Sequence, residues 1–190
     1  MKELQDRILR DGKNLGNGIL KVDGFVNHQV DPVLMDACGQ EFARRFASVG
    51  ATKVLTAEIS GIAPAVATAL HMRLPVVYAR KHKPITMPDQ VLLTLAPSHT
   101  KGRTVELIVS PEFLAGGERV LIIDDFLASG NTILGLVRLA ETAGAQIVGV
   151  GALIEKIFEG GREALKPLDV PVEALARISS MDNGTFEFVD

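Results

Sequence analysis

The chain has 190 residues, 47% hydrophobic and 23% charged, with a formal net charge of -3. This composition suits one soluble globular domain with a sizeable core and excludes a chain too polar to fold. It also argues against bulk nucleic-acid binding, which needs a basic face, but leaves room for a local basic patch that holds a small anion.

The single cysteine, Cys38, excludes an intrachain disulfide and sits in an apolar stretch, so a buried, inert thiol is expected. The first residues are charged and lack an apolar signal core, and no apolar run approaches membrane-spanning length. The expectation is a cytoplasmic protein without a membrane partner.

Residues 2–10 carry Leu4, Ile8 and Leu9 on one helical face, and Gly12 suits the stop. Residues 19–29 alternate only in part and predict a short strand followed by an exposed loop. Asp31-Pro32 opens a helix, with aspartate as N-cap and proline pre-shaped for the first turn. Gly50 is expected to end it. From there strand and helix alternate: a strand over 53–56, a loop over 58–61, a helix over 63–72 and a strand over 75–79. This βαβ unit implies a parallel sheet with a right-handed crossover.

Two alternating stretches, 91–95 and 104–109, flank a polar tip and predict an antiparallel hairpin. Strands are expected over 146–154, 172–178 and 185–189, and a short helix lies between Gly160-Gly161 and Pro167. No internal repeat or linker divides the chain, so a single domain over 1–190 is expected.

The chemistry concentrates in residues 120–132. Val120, Leu121, Ile122 and Ile123 run into Asp124 and Asp125; Ala128, Ser129, Gly130, Asn131 and Thr132 follow, and a helix begins. Carboxylates at a strand end can accept bonds from ribose hydroxyls or hold a hard cation. A small-residue loop at a helix N-terminus can wrap backbone N–H groups around a phosphate. A sugar bearing a phosphate fits both. The plainer alternative is a capped turn with two surface acids.

This stretch resembles the 5-phosphoribosyl-1-pyrophosphate (PRPP) signature of type I phosphoribosyltransferases. Residues 20–32, 60–66, 79–83 and 154–156 are similar to the xanthine-directed bacterial branch of that family. The resemblance implies an α/β fold with a mostly parallel sheet flanked by helices, a small hood from 1–30 and the C-terminal segment, and a flexible β-hairpin flap tipped by 101–104. It implies that xanthine and PRPP give xanthosine 5′-monophosphate and pyrophosphate in purine salvage, with Mg2+ accompanying the pyrophosphate and a homodimer as the assembly.

Carried onto this sequence, the resemblance puts the 5′-phosphate on Ala128, Ser129, Gly130, Asn131 and Thr132, and the ribose on Asp124 and Asp125. Pyrophosphate falls to Ser60 and Gly61 in the 58–61 loop and to Arg80, Lys81 and Lys83; xanthine falls to Leu20, Asn27 and Lys156. A lysine is an obligate donor and suits a carbonyl oxygen, while an asparagine amide offers donor and acceptor together. Without the resemblance, Leu20 reads as core, Asn27 as a turn residue and Lys156 as a surface lysine paired with Glu155. No single catalytic residue or direct metal ligand is assigned, and His28 and His82 receive no role. The competing expectations are a preference for adenine or hypoxanthine/guanine, and a PRPP-sensing regulator. The last would need a DNA-reading segment that the sequence does not show.

Overall fold

The computed structural model describes residues 1–97 and 104–189. In chain order the elements are α1 (Lys2–Asp11), β1 (Lys13–Asn14), β2 (Leu20–Lys21), α2 (Pro32–Arg45), β3 (Lys53–Ala57), α3 (Ile62–Met72), β4 (Val76–Ala79), β5 (Leu92–Pro97), β6 (Thr104–Val109), β7 (Arg119–Leu127), α4 (Asn131–Thr142), β8 (Gln146–Lys156), α5 (Gly161–Leu165), β9 (Val172–Ser180) and β10 (Glu187–Val189). Six strands form the main sheet in the order β10-β9-β8-β7-β3-β4. All neighbours run parallel except β10, which pairs antiparallel with β9 at one edge.

The apolar run of β7 is continuous because both faces of the sheet are covered. Leu121 and Ile123 join α1, α2 and α3 in one core, while Val120 and Ile122 join α4, β5 and β6 in the other. Strand alternation therefore divides one four-residue run between two cores. Phe42 and Phe46 anchor the first, stacked with ring centroids 6.2 Å apart. Glycines at 149 and 151 on β8 make room for them: a Cβ at either position would press on the Phe46 ring at about 3 Å.

Several boundaries differ from expectation. Residues 23–27 form a wide π-helical turn rather than an exposed loop, because Phe25 and Val26 are fully buried against α1 and α2. Burying side chains of this size contributes roughly 1.5–3 kcal/mol each. Helix α2 stops at Arg45, before Gly50, as Phe46 turns into the core. Gly50, at φ 64°, serves the turn into β3 instead, and the Arg119 guanidinium ties that turn through the carbonyls of Val49 and Gly50. The Asp31 N-cap is as expected: its carboxylate accepts from the N–H groups of Val33 and Leu34. Strand β7 runs through the acid pair to Leu127, because β8 keeps pairing as far as Leu127 opposite Glu155.

The N-terminal segment folds back over the C-terminal part of the chain. The α-amino group of Met1 donates to the Leu175 carbonyl, and the Asn14 amide reaches the Met181 carbonyl at 2.5 Å. Arg7 pairs with Asp31 at 2.6 Å and lies over the Phe25 ring. Strands β5 and β6 form the expected antiparallel hairpin. Its tip, 98–103, carries most of the expected flap and lies outside the described residues. Cys38 is buried as expected, and burial pushes its thiol up to about 12. No helix among the described residues is long and apolar enough to cross a membrane.

Candidate active site

Strand β3 leads outward to β4, whereas β7 leads the other way to β8. Open parallel sheets leave a crevice at such a reversal, outside the carboxyl ends of the strands. The acid pair stands there. Asp124 is buried, and Asp125 is half-buried. The Asp125 N–H donates to the Asp124 carboxylate and the Phe126 N–H to the Asp125 carboxylate, each at 3.0 Å. Burial first, and the Asp125 carboxylate second, push Asp124 well above the ordinary carboxylate range; Lys81 pulls it back. The crevice is thus poised for a cation or for hydroxyl donors.

A cavity of about 120 Å³ opens beside the acids, lined by Ala128, Ser129, Gly130, Asn131 and Thr132. Gly130, at φ 81°, turns the chain into α4, which has no side-chain cap. The first-turn N–H groups of α4 therefore remain available at a cavity that Asn131 and Thr132 help to line. Two hydroxyls and a row of backbone donors at a twelve-residue helix suit a phosphate.

This loop rests on Gly161. A Cβ there would lie 2.6 Å from the Leu127 side chain and 3.0 Å from the Gly130 nitrogen, and closer still to the Ala128 carbonyl. Gly161 was legible in the sequence only as half of a glycine pair. Beside it, Arg162 grips Glu155 through two bonds of 2.7 and 2.6 Å, and Arg177 adds a third at 3.0 Å. Burial would raise Glu155, but the two guanidinium groups more than offset it and hold the carboxyl below its usual range.

Against the acid pair on the β3 side lies the 58–61 loop, which includes a cis peptide between Glu58 and Ile59. Glu58, not singled out from the sequence, accepts from the Lys81 N–H at 2.6 Å and pairs with the Arg80 guanidinium at 2.9 Å. It thereby joins the loop after β3 to the basic stretch after β4. Gly61 packs on the acid pair: a Cβ there would lie 2.6 Å from an Asp124 oxygen. The hydroxyl of Thr56, against the same point, is buried without a hydrogen-bond partner among the described residues. Ser60, Gly61, Arg80 and Lys81 are thus assembled around one loop. Lys83 turns instead toward Asp89, 3.3 Å from its carbonyl.

On the other side of β7, Lys156 ends β8. It is buried, donates to the Gly18 carbonyl at 3.0 Å, pairs with Glu159 at 2.5 Å and lies 5.8 Å from the Phe126 ring centroid. A surface lysine paired with Glu155 is thereby replaced by two oppositely directed side chains, as strand alternation requires. Leu20 is buried in the core shared with α1 and α2, whereas Asn27 stands exposed at the end of the π-helical turn. Phe126 and Glu159 were not singled out from the sequence: Phe126 lies inside the 120–132 stretch but reads as one more apolar strand residue, and Glu159 follows Phe158 in a segment with no signal of a site.

Residues 58–188 match the phosphoribosyl transferase domain. The chain belongs to the phosphoribosyltransferase family. It is 50% identical over 189 residues to a xanthine phosphoribosyltransferase of Bacillus cereus, covering all of this chain and 96% of that one. It is 47% identical over 190 residues to one of Listeria monocytogenes, covering 100% and 99%. Among solved structures, an adenine phosphoribosyltransferase of Rhodothermus marinus is 27% identical with a TM-score of 0.71, covering 93% of this chain and 99% of that one. The Giardia lamblia APRTase complexed with 9-deazaadenine superposes with a TM-score of 0.76 at 22% identity, covering 93% and 98%. The fold is therefore the α/β fold of type I phosphoribosyltransferases, and the protein is a pentosyltransferase.

Proposed function

We propose that this phosphoribosyltransferase converts xanthine and PRPP to xanthosine 5′-monophosphate and pyrophosphate in purine salvage. The observation that carries the reading is the buried Lys156 ammonium, delivered beside Phe126 at the same sheet edge as the acid pair and the anion loop. A donor-only group at that edge favours a base with a carbonyl oxygen over one with an exocyclic amine. The relatives' names and near-complete coverage support the same choice.

In this reading the 5′-phosphate sits in 128–132, and Asp124 and Asp125 accept from the ribose hydroxyls. Ser60 and Gly61, with Arg80 and Lys81, hold pyrophosphate, and Lys83 joins them by swinging away from Asp89. Leu20 and Asn27 complete the base site with Lys156. A base nitrogen forms its bond to the anomeric carbon as the bond to pyrophosphate breaks, and positive charge develops on the sugar. The chain contributes alignment, and the acid pair faces the charge that develops on the sugar.

Among the described residues, no three or more His, Cys, Asp or Glu side chains converge to hold a metal. Adjacent acids beside a phosphate cavity nevertheless fit Mg2+, which is commonly held by one or two carboxylates together with substrate phosphates. Asp124 and Asp125 would help hold it, and when bound it neutralises charge on the leaving pyrophosphate.

The domain reading is one phosphoribosyltransferase unit over 1–190, with the hood formed mainly by 1–30 and the C-terminal segment. We place the protein in the cytoplasm as a homodimer; exposed Tyr78, Ile85 and Phe113 near the free edge at β4 support a partner copy there. Steady-state assays with xanthine, guanine, hypoxanthine and adenine test the function. Xanthine should give the highest kcat/KM, and a clear preference for adenine or hypoxanthine would overturn the assignment. Light scattering of the purified protein should give twice the chain mass, and a monomer would overturn the assembly.

A further inference from the structure

We propose that Glu159 is a positioning residue for base recognition: it fixes the Lys156 ammonium and, through it, ties the hood loop at Gly18 to the base site. The proposal rests on the base-site reading of Lys156 and extends it to a residue outside the base-contacting set.

A lysine side chain is a long, flexible stem ending in three donors, so burial alone does not aim it. At Lys156 two of those directions are defined. One goes to the Gly18 carbonyl at 3.0 Å, the other to a Glu159 oxygen at 2.5 Å. Among the described residues no other hydrogen-bond acceptor is engaged by this ammonium, which leaves its third donor for a carbonyl oxygen of the base. Both members of the pair are nearly dry, with side-chain exposures of 9% and 14%. Removing the carboxylate would leave a buried ammonium with one neutral acceptor, and such a charge swings toward whatever partner or water it can find.

Glu159 is itself held firmly. It lies in the 3-10 turn Ile157–Glu159, which starts directly from β8 and ends at Gly160, where φ is 77°. The next residue, Gly161, is wedged against the phosphate loop. The backbone that carries this carboxylate is therefore braced by β8 before it and by the packed Gly161 after it. The hood packs on this same turn: a Cβ at Gly18 would touch the Phe158 ring at 3.3 Å. One short turn thus carries both a ring against the hood loop and an acid against the lysine that bonds to it.

Glu159→Ala and Glu159→Gln, compared with the unaltered protein, test this in full-length chains. For each, kcat and KM are measured with xanthine, hypoxanthine and guanine, and PRPP affinity is measured by calorimetry without base. Glu159→Ala should raise KM for the preferred base roughly 10- to 100-fold, as displaced positioning groups do, and narrow the ratio of kcat/KM between xanthine and hypoxanthine. The PRPP dissociation constant should stay within about twofold, because the phosphate and ribose contacts lie elsewhere. Glu159→Gln keeps an acceptor oxygen and should recover part of the loss. Base KM and discrimination that both remain near the unaltered values would overturn the proposal, as would equal losses in base and PRPP. A different base preference in the unaltered protein would instead overturn the xanthine assignment, and the Glu159 effect would still be read on whichever base it prefers.

Discussion

The two halves of the proposed site are built in opposite ways. The PRPP half is almost contiguous in sequence: one strand end, one loop and one helix start, spanning Asp124 to Thr132. The proposed base half gathers Gly18 and Leu20 from the N-terminal segment, Lys156 from the end of β8, Glu159 from the turn that follows it, and Phe126 from β7. In the first half, geometry follows from the backbone, which must turn at Gly130 and expose its N–H groups. In the second, geometry depends on long side chains held by one another across the fold. Changes in the first should therefore abolish PRPP use while sparing the base site. Changes in the second should alter which base is read while sparing PRPP.

The largest expected effect comes from the acid pair. Asp124→Asn combined with Asp125→Asn should lower kcat/KM for PRPP by roughly 100- to 1000-fold, the size typical of lost charge stabilisation. The fold should survive, since amides can occupy the same space. Unchanged PRPP kinetics would remove both acids from the ribose site. Next is Lys156→Ala, which deletes a charge-assisted donor and leaves Glu159 without that partner. It should lower kcat/KM for the base by roughly 10- to 100-fold and leave the PRPP dissociation constant nearly unchanged. Equal losses in both substrates would make Lys156 a structural lysine and dissolve the contrast between the two halves.

The same contrast explains what was legible in the sequence. The strand, loop and helix of the proposed PRPP half could be read because they follow one another locally, each with its own physical signature. The alternating elements and the hairpin could be read for the same reason. The base half left no such trace. Lys156 looked equally suited to pairing with Glu155, and only the continued pairing of β8 sends the two side chains to opposite sides. Glu159 and Glu58 are ordinary acids until the fold sets one beside Lys156 and the other between Arg80 and Lys81. Gly161 is an ordinary turn glycine until the phosphate loop descends on it. The buried π-helical turn at 23–27 was hidden because the partial alternation at Leu20 and Val22 reads as strand, while the helical spacing of Val22, Phe25 and Val26 is too short to stand out.

A gentler way to separate the halves is Gly161→Ala. The added methyl group cannot fit between Leu127 and Gly130 unless the loop shifts, and overpacking of this kind costs about 1–3 kcal/mol. KM for PRPP should rise about tenfold as the phosphate donors move. The ratio of xanthine to hypoxanthine use should hold, because it is set on the other side of β7. A changed ratio would mean that the 157–161 turn transmits the disturbance to Lys156.

The smallest effect concerns stability alone. Burial and Asp125 raise Asp124 in the folded chain above its unfolded value. Below the ordinary carboxylate range the group is protonated in both states, and its neutral form suits the buried site. As pH rises through the elevated folded value, the folded chain must ionise a buried acid beside another, and that contribution to stability is lost. Glu41 runs the other way: Arg44, and then Arg45, outweigh desolvation and hold it at about 2, so its contribution is lost only as pH falls toward that value. The two are separated by melting the substrate-free protein and Asp124→Asn across pH 4 to 9. The variant should melt higher by about 2–4 °C on the alkaline side, with the gap closing toward acid. A gap that persists at acid pH would assign the gain to packing rather than to charge. A variant that melts lower throughout would show that Asp124 stabilises the empty site, so that the PRPP half would no longer hold an acid at the expense of its own stability.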